Sequence, residues 1–340
     1  MTSLSWLDTL DATDVAAITE LLTSAEQVDG NGGISEDVRL TLRPGGSPGG
    51  VAHLVARDGS TIVGFAAVGG DPSERQAELV VHPDHRRAGV GSALVRELSA
   101  AVAGSSQLNI WAHGDAPAAA ALAGSAGFER ARVLLQLRRP LIAASSATPG
   151  SATAGSATTG SATAAADDDL PSPTVPPGFT LRTFEVGRDE EAWLAINAAA
   201  FATHPEQGRW TMDDLRAREA EPWFDPAGFF LAERNGQLVG FHWTKVHPID
   251  PMPAGDPQAA PGPIGEVYVV GVAPDAGGAG LGRILTIAGL RHLRDLGLAT
   301  VMLYVDEDND RAVRLYTRLG FHRHTADVSY QRVAPGRDRG

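Results

Sequence analysis

The sequence predicts an α/β fold, a mixed α+β sheet enclosed by helices, repeated as two tandem domains with a flexible linker between them. Three observations predict it: the chain length, a low-complexity stretch near the middle, and motifs that recur at one constant offset. The 340 residues exceed a usual single core, since domains cluster near roughly 100–150 residues. Between Ala143 and Pro177 the chain runs through SATPGSATAGSATTGSATAAADDD and a proline-rich segment, with almost no large apolar side chain to bury. That composition reads as a flexible linker. It assigns residues 1–142 to a first domain, 143–177 to the linker, 178–334 to a second domain and 335–340 to a tail.

The same elements follow in order in both domains. A helix comes first: Thr13–Glu26 puts Val15, Ile18 and Leu22 on one face, and Asp189–Phe201 does so with Trp193, Ile196 and Ala200. Leu54–Phe65 (LVARDGSTIVGF) and Leu231–Phe241 (LAERNGQLVGF) then read as hairpins, turning at Asp58-Gly59 and Asn235-Gly236. Next come near-continuous apolar strands at Leu79–Val81 and Val267–Val272, a glycine-rich turn, and a helix. Further strands at Leu108–Trp111 and Thr300–Val305 lead to a short helix that ends in Gly127-Phe128 or Gly320-Phe321. Pro83 matches Pro274, Gly89 matches Gly280 and Gly91 matches Gly282 at a single offset, as a tandem duplication requires.

Composition narrows the ligands. A formal net charge of −13 disfavours nucleic acid and anionic membrane as partners, because phosphate binding needs clustered basic surface. The chain has no cysteine, which removes disulfides, thiolate metal sites and a cysteine nucleophile. The opening MTSLSWLDTLDATD carries acid where a signal peptide needs a basic flank, and no stretch reaches the roughly 20 apolar residues of a membrane span. A cytoplasmic monomer acting on small molecules is the expectation.

The glycine turns carry the chemistry. Arg86 precedes Arg87-Ala88-Gly89-Val90-Gly91-Ser92, and the second copy offers Gly277-Gly278-Ala279-Gly280-Leu281-Gly282-Arg283. Glycines let the backbone turn its N–H groups inward at the start of a helix, which suits a pyrophosphate. Dinucleotide and P-loop fingerprints are absent from both turns. With Arg86, Gly89 and Gly91 in an Arg-x-x-Gly-x-Gly pattern after a central strand, the chain resembles the GNAT superfamily of N-acetyltransferases. The resemblance implies two GNAT-type domains that hold acetyl-CoA on the turn, while Leu79-Val80-Val81 and Val270-Gly271-Val272 pair with its pantetheine arm. The second turn departs from the pattern, with Gly277 and Gly278 in place of Arg86 and Arg87.

Moving an acetyl group from a thioester to an amine needs a base for the ammonium proton and an acid for the thiolate. Glu266 at the start of EVYVVGV and Tyr316 four residues before Gly320 supply both types, whereas the same offset gives Arg75 and the first copy has Ala123 four residues before Gly127. The second domain is therefore expected to be catalytic and the first to bind acetyl-CoA or support the fold. Read singly, Glu266 is also consistent with a solvated strand-end carboxylate and Tyr316 with a packing residue.

Particular strings carry a finer resemblance: Ile34-Ser35-Glu36, AFATHPEQGRW (Ala200–Trp210), Trp223-Phe224-Asp225-Pro226, GFHWTKVH (Gly240–His247), GEVYVVGV (Gly265–Val272) and Leu303–Asp306. They are similar to those of tandem GNAT enzymes that acetylate the cysteinyl amine of cysteinyl-glucosaminyl-inositol, the last step of mycothiol biosynthesis. That resemblance implies that Glu36, Glu206, Lys245, Glu266 and Tyr304 contact the acceptor, with Glu266 as base and Tyr316 as acid. It also implies cofactor contacts from Asn309-Asp310-Arg311-Ala312-Val313-Arg314. Alternatives are acetylation of another amine, such as an aminoglycoside, a polyamine or a protein N-terminus, and a non-catalytic acetyl-CoA sensor. His204, His242 and His247 lack the spacing of a metal site, so no metal is expected.

Overall fold

The computed structural model describes residues 2–7, 9–30, 32–42, 50–102, 107–141, 170–202, 205–247 and 262–333. The first half contains β1 (Ser3–Leu7), α1 (Ala12–Asp29), α2 (Glu36–Thr41), β2 (Ala52–Asp58), β3 (Thr61–Asp71), β4 (Glu74–Val81), α3 (Val90–Ala101), β5 (Gln107–Ala112), α4 (Pro117–Ser125) and β6 (Glu129–Pro140). The second contains β7 (Phe179–Thr183), α5 (Glu190–Ala200), α6 (Pro205–Gly208), α7 (Met212–Glu219), β8 (Phe229–Arg234), β9 (Gln237–His247), β10 (Ile264–Val272), α8 (Leu281–Asp295), β11 (Thr300–Asp306), α9 (Asp310–Arg318) and β12 (His322–Val333). Residues 143–169 of the expected linker, the last residue of the expected first domain and the tail lie outside the described residues. Leu170, just after them, is buried in the core of the second half.

Local chemistry explains the elements. Asp11 caps α1 by accepting from the amides of Thr13 and Asp14 at 2.8 Å each, and Gly30 ends it in the left-handed region. Ile18, Leu21, Leu22 and Ala25 bury one face of that helix against β3 and β4. Asn235 and Gly236 both have positive φ (54° and 77°), the geometry that a tight right-twisted hairpin demands between β8 and β9.

The described strands form one twelve-stranded sheet in the order β1-β2-β3-β4-β5-β12-β6-β11-β10-β9-β8-β7. The two halves have exchanged their last strands. β12 pairs with β5 of the first half, and β6 pairs with β11 of the second. Val328 and Tyr330 consequently pack in the first-half core, and Leu135 and Leu137 in the second. The central parallel pairs, β4 with β5 and β10 with β11, stop at Glu78 and Val267 and splay beyond them. Each splay opens a cleft in the sheet.

The structure corrects one alignment. β10 carries a bulge between Val267 and Val269, whereas β3 and β4 pair without a shift. One extra residue, Tyr268, therefore moves the strand start out of step with the constant offset. By strand pairing the first-half counterpart of Glu266 is Gln76, opposite Gly69 as Glu266 is opposite Lys245, and not Arg75. Among the described residues no helix is long and apolar enough to cross a membrane.

Candidate active site

Both glycine turns have the expected form. Gly89 (φ 85°) caps α3 and Gly280 (φ 75°) caps α8, and neither helix start receives a side-chain cap. Their first amides are thus left to a ligand or solvent. Arg86 lines the first cleft with its charge already paired. It grips the Asp29 carboxylate with two contacts of 2.7 Å and reaches the Val81 carbonyl at 3.2 Å, tying the turn to α1. The glycine at position 277 thus removes a strut between turn and helix, while the backbone donors of the second turn are retained.

The second splay holds a cavity of about 400 Å³. Glu36, Arg218, Val270, Tyr304, Asn309, Ala312 and Tyr316 all line it, drawing on both halves of the chain. Asn309 caps α9 through the Ala312 amide, which fixes the end of that helix at the cavity. Tyr316 is buried, and desolvation pushes its hydroxyl up to about 12, so it carries its proton throughout the neutral range. Arg132 of β6 clamps Asp306 of β11 at 2.6 and 3.0 Å, so the exchanged strand also walls the cavity.

Glu36 reaches across from the first half. Its carboxylate meets the Lys245 ammonium and accepts from the Tyr268 hydroxyl at 2.7 Å. Burial works against the charge, yet the adjacent Lys245 holds the Glu36 carboxyl below its usual range. Arg218 donates to the Tyr268 hydroxyl at 2.8 Å, contacts Asp37, and lies 3.8 Å above the Trp210 ring. Lys245 sits 4.3 Å from the Trp223 ring and 5.0 Å from that of Tyr268, which excludes a solvent-facing lysine. Trp193, Trp210, Trp223 and Trp243 form the packed aromatic wall behind it.

Glu266 is 7% exposed, and its Oε2 lies 2.6 Å from Nε2 of His247. It faces the Lys245 side of the sheet, being directly opposite that residue. It does not itself line the 400 Å³ cavity, whose wall begins at the next residue, Val267. Strand β10 connects the parts: Glu266 near its start, Val270-Gly271-Val272 at its end, and the turn soon after. The Glu206 side chain lies outside the described residues, as does His204. His242 is a core residue that bonds the Leu285 carbonyl at 2.7 Å. Sequence reasoning missed Asp37, Arg218, Tyr268 and the role of His247 as a partner; adjacency to Glu36 was the available signal for Asp37.

The first splay differs. Its cleft of about 290 Å³ is lined by Leu79, Val80, Val81, Arg86, Leu122 and Ala123 on the turn side. Ala123 stands where Tyr316 stands in the second half, and Gln76 replaces Glu266. Deeper in, His113 lies between Asp327 of β12 at 3.0 Å and Glu78 at 3.4 Å.

Comparison with known proteins agrees with this arrangement. The model of the Acetyltransferase (GNAT) family matches residues 193–321, and that of the Acetyltransferase (GNAT) domain matches residues 49–130. A mycothiol acetyltransferase of Parafrankia sp. (strain EAN1pec) is 69% identical over 99% of this chain and 100% of its own length. That of Frankia alni is 56% identical, covering 96% of this chain and 94% of its own length. Among solved structures, a tandem GNAT protein from the clavulanic acid biosynthesis pathway shares the fold with a TM-score of 0.68 at 19% identity, covering 99% of this chain and 100% of that one.

Proposed function

Because the chain belongs to the mycothiol acetyltransferase family, within the GNAT acetyltransferases, we propose that its second half carries acetyl from acetyl-CoA to the cysteinyl amine of cysteinyl-glucosaminyl-inositol. The observation that carries the reading is the pairing of an enclosed carboxylate with a buried, protonated phenol in the half that has the bulge, while Gln76 and Ala123 occupy those places in the other. Glu266 removes the ammonium proton, directly or through one water, and the freed amine attacks the thioester carbonyl. Tyr316 then protonates the departing thiolate and regains its proton from the nitrogen, which loses its second proton as the amide forms.

The remaining residues bind and orient. Val270-Gly271-Val272 offers strand edge to the pantetheine arm, and the turn from Gly277 to Arg283 offers backbone amides to the pyrophosphate. Asn309 to Arg314 flank the thiol end of the donor. Glu36, Glu206, Lys245 and Tyr304 receive the hydroxyls and ammonium of the acceptor, with the Glu36 and Lys245 pair opening to accept it. In the first half, Leu79 to Val81 and the turn from Arg87 to Ser92 hold a second acetyl-CoA without turning it over. Calorimetry then finds two donor sites per chain. The protein acts as a cytoplasmic monomer.

Mass spectrometry of incubations with acetyl-CoA tests the assignment. The cysteinyl pseudodisaccharide gains one acetyl group, whereas spermidine, an aminoglycoside and a peptide N-terminus do not. Acetylation of one of those amines in preference to the pseudodisaccharide overturns the acceptor; donor binding without any product makes the chain a sensor.

A further inference from the structure

The reaction sets a requirement beyond its acid and base. An ammonium and a thioester become an amide and a thiol, so every turnover releases one proton. The proton that Glu266 removes is the one that has to reach solvent, and Glu266 is 7% exposed. An enclosed base stays protonated after one turnover unless something carries the proton away.

His247 is placed to do so. Its Nε2 lies 2.6 Å from Oε2 of Glu266, and its side chain is 22% exposed against 9% for the glutamate side chain. The pairing is selective. Lys245 stands directly opposite Glu266 on the neighbouring strand, yet its ammonium turns to Glu36. The ammonium thus goes to the carboxylate that binds, and the carboxylate that must change protonation keeps an imidazole, whose two ring nitrogens allow a proton to be taken at one and released from the other. Tyr304 also feels the Glu266 charge, but its hydroxyl accepts from Gln136 at 2.7 Å. Around Glu266 stand Glu36, Lys245, Tyr268 and Arg218 on one side and Tyr304, Arg138 and Asp327 on the other, and the side chain hydrogen-bonded to Glu266 is His247.

We propose that His247 is the positioning and proton-relay residue of the site, joining Glu266 to solvent. Glu266, once protonated, gives its proton to the His247 imidazole and returns to carboxylate; the imidazolium releases one ring proton to water. One proton enters from the acceptor and one leaves, so the step balances. The inference rests on Glu266 being the base.

Its test compares His247→Gln, Glu266→Gln and the parent enzyme in weak buffer. The glutamine amide still donates to Glu266 but carries no proton. Turnover of H247Q is expected to fall by about tenfold or more, with the acceptor KM changed by less than about threefold. Added imidazole then restores turnover in proportion to its concentration. Parent-like turnover of H247Q overturns the relay, and so does a slow H247Q that imidazole does not rescue. Should H247Q melt well below the parent, His247→Asn takes its place under the same criteria. Loss of activity in E266Q with a parent-like H247Q removes the relay alone; parent-like activity in E266Q removes the base assignment beneath it.

Discussion

Tyr316 combines the two properties that an acid for a thiolate requires: enclosure and a retained proton. Burial pushes its hydroxyl up to about 12. A raised value keeps the group protonated below that pH, so no alkaline fall in rate below about pH 10 arises from it. Tyr316→Phe is expected to lower kcat by about 10- to 100-fold while leaving the acetyl-CoA KM within about threefold, as steady-state kinetics will show. Gly289 is demanding for another reason. A Cβ there would come 2.0 Å from Cε1 of His242, a fully buried ring that desolvation pushes down to about 4 and that donates to the Leu285 carbonyl. The ring is neutral and fixed, so it cannot retreat easily. Gly289→Ala is expected to destabilise the fold by roughly 1–3 kcal/mol, read as a lowered midpoint in thermal unfolding.

At the scale of elements, α2 does more than its six residues suggest. Ser35 caps it, and the Ser35 amide donates to Glu78 at 2.5 Å, so a first-half strand fixes the helix whose next residue, Glu36, reaches the second-half site. Glu78→Gln is expected to raise the acceptor KM by about threefold to tenfold with the acetyl-CoA KM unchanged; equal changes in both would contradict this. The main elements were legible in the sequence because their causes are local. Asn235-Gly236 dictates a hairpin, Ile18 and Leu22 mark a helix face, and Gly89 and Gly280 mark turns that other residues resist. The bulge at Tyr268 was not legible, since one inserted strand residue leaves no compositional mark. For that reason the sequence paired Glu266 with Arg75. Arg218 and Tyr268 were missed because their partners are distant: Arg218 to Asp37 spans 181 positions and Tyr268 to Glu36 spans 232.

Across the whole molecule, the halves are interlocked by exchanged strands, a feature that alternation along β6 and β12 does not reveal because either pairing satisfies it. His113 and Asp327 tie β12 to the first half, with Gly114 also donating to Asp327 at 2.9 Å. Burial opposes the imidazolium, but hydrogen bonds to Asp327 and Glu78 outweigh it and raise His113 from 6.5 to about 10. A folded-state value above the unfolded one gives stability that is complete below pH 6.5 and lost as pH rises towards 10. Denaturant titrations are expected to show that decline in the parent and a flatter profile in His113→Gln.

Two turns of common form divide the labour in the proposed reaction, and the most direct measurement removes one glycine from each. An added Cβ at Gly89 or Gly280 meets no protein atom within 4 Å, so alanine adds backbone strain of roughly 1–2 kcal/mol and a methyl at the turn proposed to hold the pyrophosphate. Steady-state acetylation of the pseudodisaccharide should show kcat/KM for acetyl-CoA falling by about tenfold or more in Gly280→Ala and staying within about twofold in Gly89→Ala. An equal loss in both variants, or a loss confined to Gly89→Ala, would contradict the account.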